Sequence, residues 1–232
     1  YDTTFTSLEF AQGFQVERLL FEFDQFDSMM KKPKALAESL WRRRQTDAAR
    51  FFNNAFSVDT FFSTNSEAVA PCSNSHTTTS GASTTTGFDN QVTTGLSATS
   101  LAATRILMVD FRGDRAERIA VMPKMLLVPP NLYREAFEII GSEGWPDNAN
   151  NAANVHHGQY EVVEWNYLTD TNNYFLIDPT LMKDWGLAWY DKNPGEFGMV
   201  EEFDTFVGKW RDYGIWTVGW ENWRFILGAS VS

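Results

Sequence analysis

The 232-residue sequence predicts an α+β fold on three observations. Residues 31–56 keep a helical apolar spacing, with no Gly or Pro between Pro33 and Pro71. The last third of the chain alternates short apolar runs with turn residues, as antiparallel strands do. The first thirty residues carry Phe5, Phe10, Phe14, Phe21, Phe23 and Phe26 but few long aliphatics, a pattern for a segment that lies on another surface.

Within that first segment, Leu20-Phe21-Glu22-Phe23-Asp24 alternates like a half-buried strand and Ala11-Gln12-Gly13 offers a turn, so a β-hairpin is expected. The helix over 31–56 begins near Pro33, and Ala37, Leu40, Trp41, Ala48, Phe51, Phe52 and Ala55 fall on one face. Arg42, Arg43 and Arg50 fall opposite, while Arg44 sits inside the apolar stripe, where it either snorkels or meets a carboxylate across an interface. Residues 57–95 hold no Lys or Arg, Ser73–Thr86 is dominated by Ser and Thr, and the stretch reads as a long loop with or without short edge strands. A second helix is expected over 97–111 with Ser97 as its cap. Ile119–Met122 and Met125–Val128 read as buried strand pieces, and Pro129-Pro130 opens a third helix, Leu132 to Ile140, that Gly141 ends. After an Asn-rich loop at 142–159 with Asn148, Asn150, Asn151 and Asn154, strands are expected at Tyr160–Trp165, Tyr174–Ile177 and Leu187–Tyr190. Phe203–Arg211, Ile215–Trp220 and Trp223–Leu227 follow, with turns at Asp212–Gly214 and Glu221–Asn222.

Composition excludes several functions. One cysteine rules out an intrachain disulfide scaffold and any multi-cysteine metal site. A net charge of −11 argues against free DNA binding, which needs a basic footprint. No uninterrupted apolar run approaches the roughly 20 residues that span a bilayer, so no membrane partner is expected. The adjacent His156 and His157 would point to opposite faces of a strand and make a poor metal site. Glu161 with Glu164, or Glu201 with Glu202, are the carboxylate pairs a glycosidase would need, and nothing in their spacing selects either. Cys72 reads as an inert thiol. No catalytic, cofactor or metal residue is expected. The charge is uneven: residues 31–50 hold seven basic residues against Glu38 and Asp47, a net +5 that leaves −16 elsewhere. That run is either a solvated helix face or a face for polyphosphate or an acidic partner.

The segment order resembles the major capsid proteins of tailed double-stranded-DNA bacteriophages. The resemblance rests on Leu96-Ser97-Ala98-Thr99-Ser100-Leu101, then Ile119-Ala120-Val121-Met122-Pro123-Lys124-Met125-Leu126-Leu127-Val128-Pro129-Pro130-Asn131-Leu132. Glu161-Val162-Val163 and Tyr174-Phe175-Leu176-Ile177-Asp178-Pro179 add to it further on.

The resemblance implies an extended loop (a β-hairpin) at 1–30 and a peripheral domain at 31–128 and 196–222 containing the long spine helix. It implies an axial domain at 129–195 and 223–232. It further implies a structural, non-enzymatic subunit that assembles as hexamers and pentamers into an icosahedral shell around packaged double-stranded DNA. Portal, scaffold or decoration proteins are the implied partners, and the location is the virion, assembled in the host cytoplasm. Phe5, Phe10, Phe14, Phe21, Phe23, Arg44 and Trp145 become candidate subunit contacts, and Arg42, Arg43 and Arg50 candidate DNA-facing residues. The chain opens at Tyr1 without an initiating Met, which in this family fits trimming. Its first lysine, Lys31, lies at or beyond the end of the expected hairpin, so no lysine–asparagine cross-link is expected. An encapsulin-like nanocompartment shell is the alternative with the same fold. A secreted carbohydrate-binding β-domain, suggested by nine Trp and the acidity, fits the helices poorly.

Overall fold

The computed structural model describes residues 1–24, 28–145 and 153–231. Phe26 and Asn148, Asn150 and Asn151 lie outside the described residues. The strands are β1 (Thr3–Phe5), β2 (Leu8–Glu17), β3 (Ser63–Asn65), β4 (Gln91–Val92), β5 (Met125–Val128), β6 (Glu161–Glu164), β7 (Tyr174–Ile177), β8 (Leu187–Glu202), β9 (Val207–Trp220) and β10 (Ile226–Ala229). The helices are α1 (Arg18–Glu22), α2 (Ser28–Asn53), α3 (Ala98–Val109), α4 (Tyr133–Gly141) and α5 (Pro179–Leu181). The α+β class is as expected.

Two sheets carry the fold. A five-stranded sheet runs in the order β4-β10-β7-β5-β6, with β7 antiparallel to both β10 and β5 and parallel pairs at β10–β4 and β5–β6. All four residues of β7 and of β10 are buried, as central strands covered on both faces require. Its core includes Leu126, Leu127, Phe175, Leu176, Ile226 and Leu227, with Leu101 and Met108 of α3 and Ala136 and Ile139 of α4 packed against it. A three-stranded sheet, β2-β9-β8, is built on one long hairpin and holds much smaller apolar clusters around Trp210 and Trp216.

The helix α2 bridges the two bodies. Its last turns put Phe51 and Phe52 into the large core, and Leu36 in its first half packs with Val16 and Trp210 of the three-stranded sheet. The cap of α3 is as expected: the Ser97 Oγ accepts from the Ser100 N–H at 3.1 Å, and the Ser100 Oγ accepts from the Ser97 N–H at 2.8 Å.

Several expectations are corrected. The described residues of 1–30 form no hairpin with one another. Instead β2 adds to β9 over ten paired residues, Leu8↔Trp216 to Glu17↔Val207, and β1 pairs with β3. Gly13 is not a turn but a close approach, because a Cβ there would lie 2.7 Å from the Trp210 carbonyl oxygen. Leu20–Glu22 is helical, since three alternating residues fit one helical turn as well as a strand. The expected turn at Asp212–Gly214 lies inside β9, where the Trp216 ring fills the space a Gly214 side chain would take. The strand β8 runs from Leu187 to Glu202, across residues 195 and 196, and the hairpin turns at Phe203–Phe206 instead. Ile119–Met122 is not a strand, and Trp223–Phe225 is a 3₁₀ turn before β10. Trp41, expected on the apolar stripe, is 60% exposed, and Asp47 is buried there in its place.

Candidate functional site

The junction of α2 with the three-stranded sheet brings most of the singled-out residues together. Arg44 donates from Nη1 and Nη2 to the two Asp191 carboxylate oxygens, each at 2.8 Å, and from Nη1 to the Pro194 carbonyl at 2.9 Å. Its guanidinium also lies 5.0 Å from the Trp189 ring centre and 5.2 Å from that of Trp216. Hydrogen bonding from Arg44 holds the Asp191 carboxyl below its usual range. Of the two readings of Arg44, the carboxylate partner is the one found, and it belongs to the same chain.

One turn on, Asp47 is buried with its Oδ2 accepting from the Trp216 indole N–H at 3.0 Å. Arg43 pairs with it at 2.8 Å and lies over the Phe10 ring at 4.6 Å. Burial pushes the Asp47 carboxyl up, against the opposing pull of Arg43 and Trp216. At the end of the helix Arg50 donates to both oxygens of Asp59, at 2.5 and 2.9 Å, and covers Phe61 at 4.3 Å. Burial opposes ionisation of Asp59, yet Arg50, the Phe61 N–H and Asn54 together hold its carboxyl below the usual range.

The expected DNA-facing trio is therefore divided. Arg43 and Arg50 are spent on intrachain pairs, and Arg42 is exposed with no side-chain partner among the described residues.

The candidate contact phenylalanines divide too. Phe10 stacks on Trp216 at 4.5 Å, Phe14 and Phe21 stack on Trp210 at 5.0 and 6.0 Å, and Phe5 meets Tyr190 edge-on at 5.1 Å. Phe23 alone of them points outward, 73% exposed. Trp145 is half-buried against the large core, 5.7 Å from the His156 ring. His156 is itself buried, with Nε2 3.0 Å from the Ala98 carbonyl, and burial lowers its pKa.

Sequence reasoning counted Asp47 among the acids that offset the basic run and did not bury it. The signal it passed over is an acid in a helix stripe three residues after an arginine already inside that stripe. It also passed over His76 and Glu67, a pair buried at 3.1 Å beneath the Trp223 ring. Burial works against Glu67, but His76 and the Thr77 N–H hold its carboxyl low. Cys72 is buried and its thiol is pushed up by burial, as an inert thiol should be. No cluster of three metal-ligating side chains and no helix long and apolar enough to cross a membrane occurs among the described residues.

The site is thus a helix pinned between two sheets by arginine–carboxylate pairs that lie on aromatic rings. A model of the phage capsid protein family matches residues 1–229, and the chain belongs to that family. Its fold is shared with solved structures. The Mycobacterium phage Patience chain superimposes with a TM-score of 0.60 at 9% identity, covering 98% of this chain and 71% of that one. The mature capsid of bacteriophage PhiM1 gives 0.56 at 9%, covering 97% and 71%. The SrpI encapsulin of Synechococcus elongatus PCC 7942 gives 0.55 at 9%, covering 97% and 73%. No curated protein matches the sequence.

Proposed function

We propose that this chain is the major subunit of an icosahedral phage head, assembling as hexamers and pentamers around packaged double-stranded DNA, in a virion built in the host cytoplasm. The observation that carries the reading is the capsid family match over residues 1–229. The geometry agrees with it. A subunit repeated many times holds a shell through many individually weak contacts, and needs a stiff frame so that each contact falls in register. The bridge of α2 supplies that frame.

The five-stranded sheet with α3 and α4 is the proposed axial body, and the three-stranded sheet with α2 the proposed peripheral body. Phe23, Trp145 and the surface around Arg44 are the proposed subunit contacts, with Phe5, Phe10, Phe14 and Phe21 supporting them from within. Arg42 is the proposed DNA-facing residue, with Arg43 and Arg50 contributing charge from their pairs. Portal, scaffold or decoration proteins complete the particle, and the subunit has no catalytic role.

Electron microscopy of the purified protein tests this: uniform closed shells are expected, and monodisperse small particles overturn it. An encapsulin-like shell shares the fold. Ultraviolet absorbance separates the two, since packaged nucleic acid raises absorbance relative to protein and packaged enzymes do not.

A further inference from the structure

The distal end of the three-stranded sheet carries an exposed apolar surface that the chain itself leaves uncovered. The hairpin turn of β8 and β9 presents Phe203, 88% exposed, between Glu201, Glu202 and Asp204. The turn closes with Phe206 at φ +53°, a conformation that favours glycine, so an aromatic ring is kept at the tip against its own backbone preference.

At the same end, the Arg18 N–H donates to the Phe206 carbonyl at 3.0 Å, and α2 begins where its Met29 N–H meets Asp24. Met29 and Leu36 face Val16 and Trp210, which leaves Met30 and Lys31 outward on the other side of the helix. Phe23, before the helix, and Met30, on it, are exposed apolar residues, and the exposed Lys31 and Lys32 follow Met30 directly.

The charges left over are opposite in sign. On the tip, Lys209 pairs with Glu202 at 2.9 Å and Arg18 reaches Glu201 at 3.6 Å. Asp204 has no partner among the described residues. On the helix head, Lys34 stands 4.0 Å from Glu38, and Lys31 and Lys32 have no partner among the described residues. The Asp24 carboxylate sits at the positive end of the α2 dipole, accepting from the Met29 N–H and the Ser28 hydroxyl, so it serves the helix end and neither lysine pairs with it.

We infer that the Phe203–Asp204 tip of one copy docks on the Phe23–Met30–Lys31–Lys32 helix head of a second copy. The inference rests on the shell reading above and assigns one of its contacts. Tip against tip would oppose the unpaired Asp204 with its own copy, which disfavours that contact. Tip against head pairs acid with lysine and ring with apolar surface, and repeated from copy to copy it builds a ring where the rotation between copies closes.

The single native cysteine is buried, so engineered cysteines report alone. Asp204→Cys chains co-assembled with differently tagged Lys31→Cys chains are expected to give a mixed disulfide dimer under mild oxidation, while either variant assembled by itself stays monomeric. Asp204→Lys is expected to lower the assembled fraction roughly tenfold, and Lys31→Asp/Lys32→Asp in the partner to restore most of it. Shells of the unmodified chain whose variants neither cross-link nor lose assembly overturn the docking alone. Absence of shells from the unmodified chain overturns the shell reading and this contact with it.

Discussion

At its C-terminal end α2 enters a core made almost wholly of apolar side chains: Phe52 meets Trp165 at 5.8 Å and Phe175 at 5.4 Å, and Phe51 stacks on Phe225 at 5.9 Å. Over its first half the same helix touches the three-stranded sheet through Leu36 and Leu40, then through guanidinium–carboxylate pairs lying on aromatic rings. One end is held by area removed from water, which is large and undirected. The other is held by directed charged hydrogen bonds, which set an angle more than they add stability. A subunit whose outer body must meet neighbours at a fixed inclination gains from this division.

The comparison breaks first at the apolar end. Phe52→Ala is expected to destabilise the chain by about 3–5 kcal/mol, because it opens a cavity in the large core. Denaturant unfolding of the unassembled subunit checks it, with loss of soluble protein as the extreme case. Asp47→Ala comes next, at about 2–4 kcal/mol, since it leaves the Trp216 indole N–H buried without an acceptor. Asp47→Asn, which keeps an acceptor, should recover much of that loss.

Arg44→Ala should cost about 1–2 kcal/mol in the same unfolding assay. Its greater effect is expected on assembly, because it frees the angle between α2 and β8. Particle yield on a sucrose gradient should fall further than stability does, and an unchanged yield removes Arg44 from the frame.

Acid should act differently on the carboxylates along the helix. Asp59 and Asp191 are held below the ordinary Asp value of 3.8, so the stability they contribute is present above that value. It is lost as pH falls through their depressed folded pKa values. Asp47 is raised, so its contribution has the opposite sign and declines as pH rises through its folded value. Asp191→Asn should therefore flatten the acid limb of the unfolding curve, and Asp47→Asn should steepen it. The smallest effect belongs to Trp41→Ala, within about 0.5 kcal/mol, because an exposed ring has little core to lose.

Much of this was legible before any coordinates. The α2, α3 and α4 helices, the Ser97 cap and the β5 and β7 strands follow from local period and capping chemistry, which act over a few residues. The strand over Phe203–Arg211 and the turn at Asp212–Gly214 were misread because glycine and aspartate usually mark turns. Here Gly214 makes room for Trp216, a neighbour in the strand whose ring position depends on Asp47 far away in the chain. The expected hairpin at 1–30 failed for a related reason. Alternation signals a strand but says nothing of its partner, and the partner of β2 is almost two hundred residues on.

By itself, then, the sequence determined the α+β class, the long bridging helix and the capsid family, because periodicity and ordered short motifs are local properties. Tertiary structure alone decided the partner of Arg44 and the burial of Asp47. Arg42, Arg43, Arg44 and Arg50 are alike as a string of charges. Asp47 reaches Arg43 within the helix itself and Asp59 reaches Arg50 from the loop that follows, but Asp191 reaches Arg44 only once the helix lies on its sheet, and Arg42 is left to the outside.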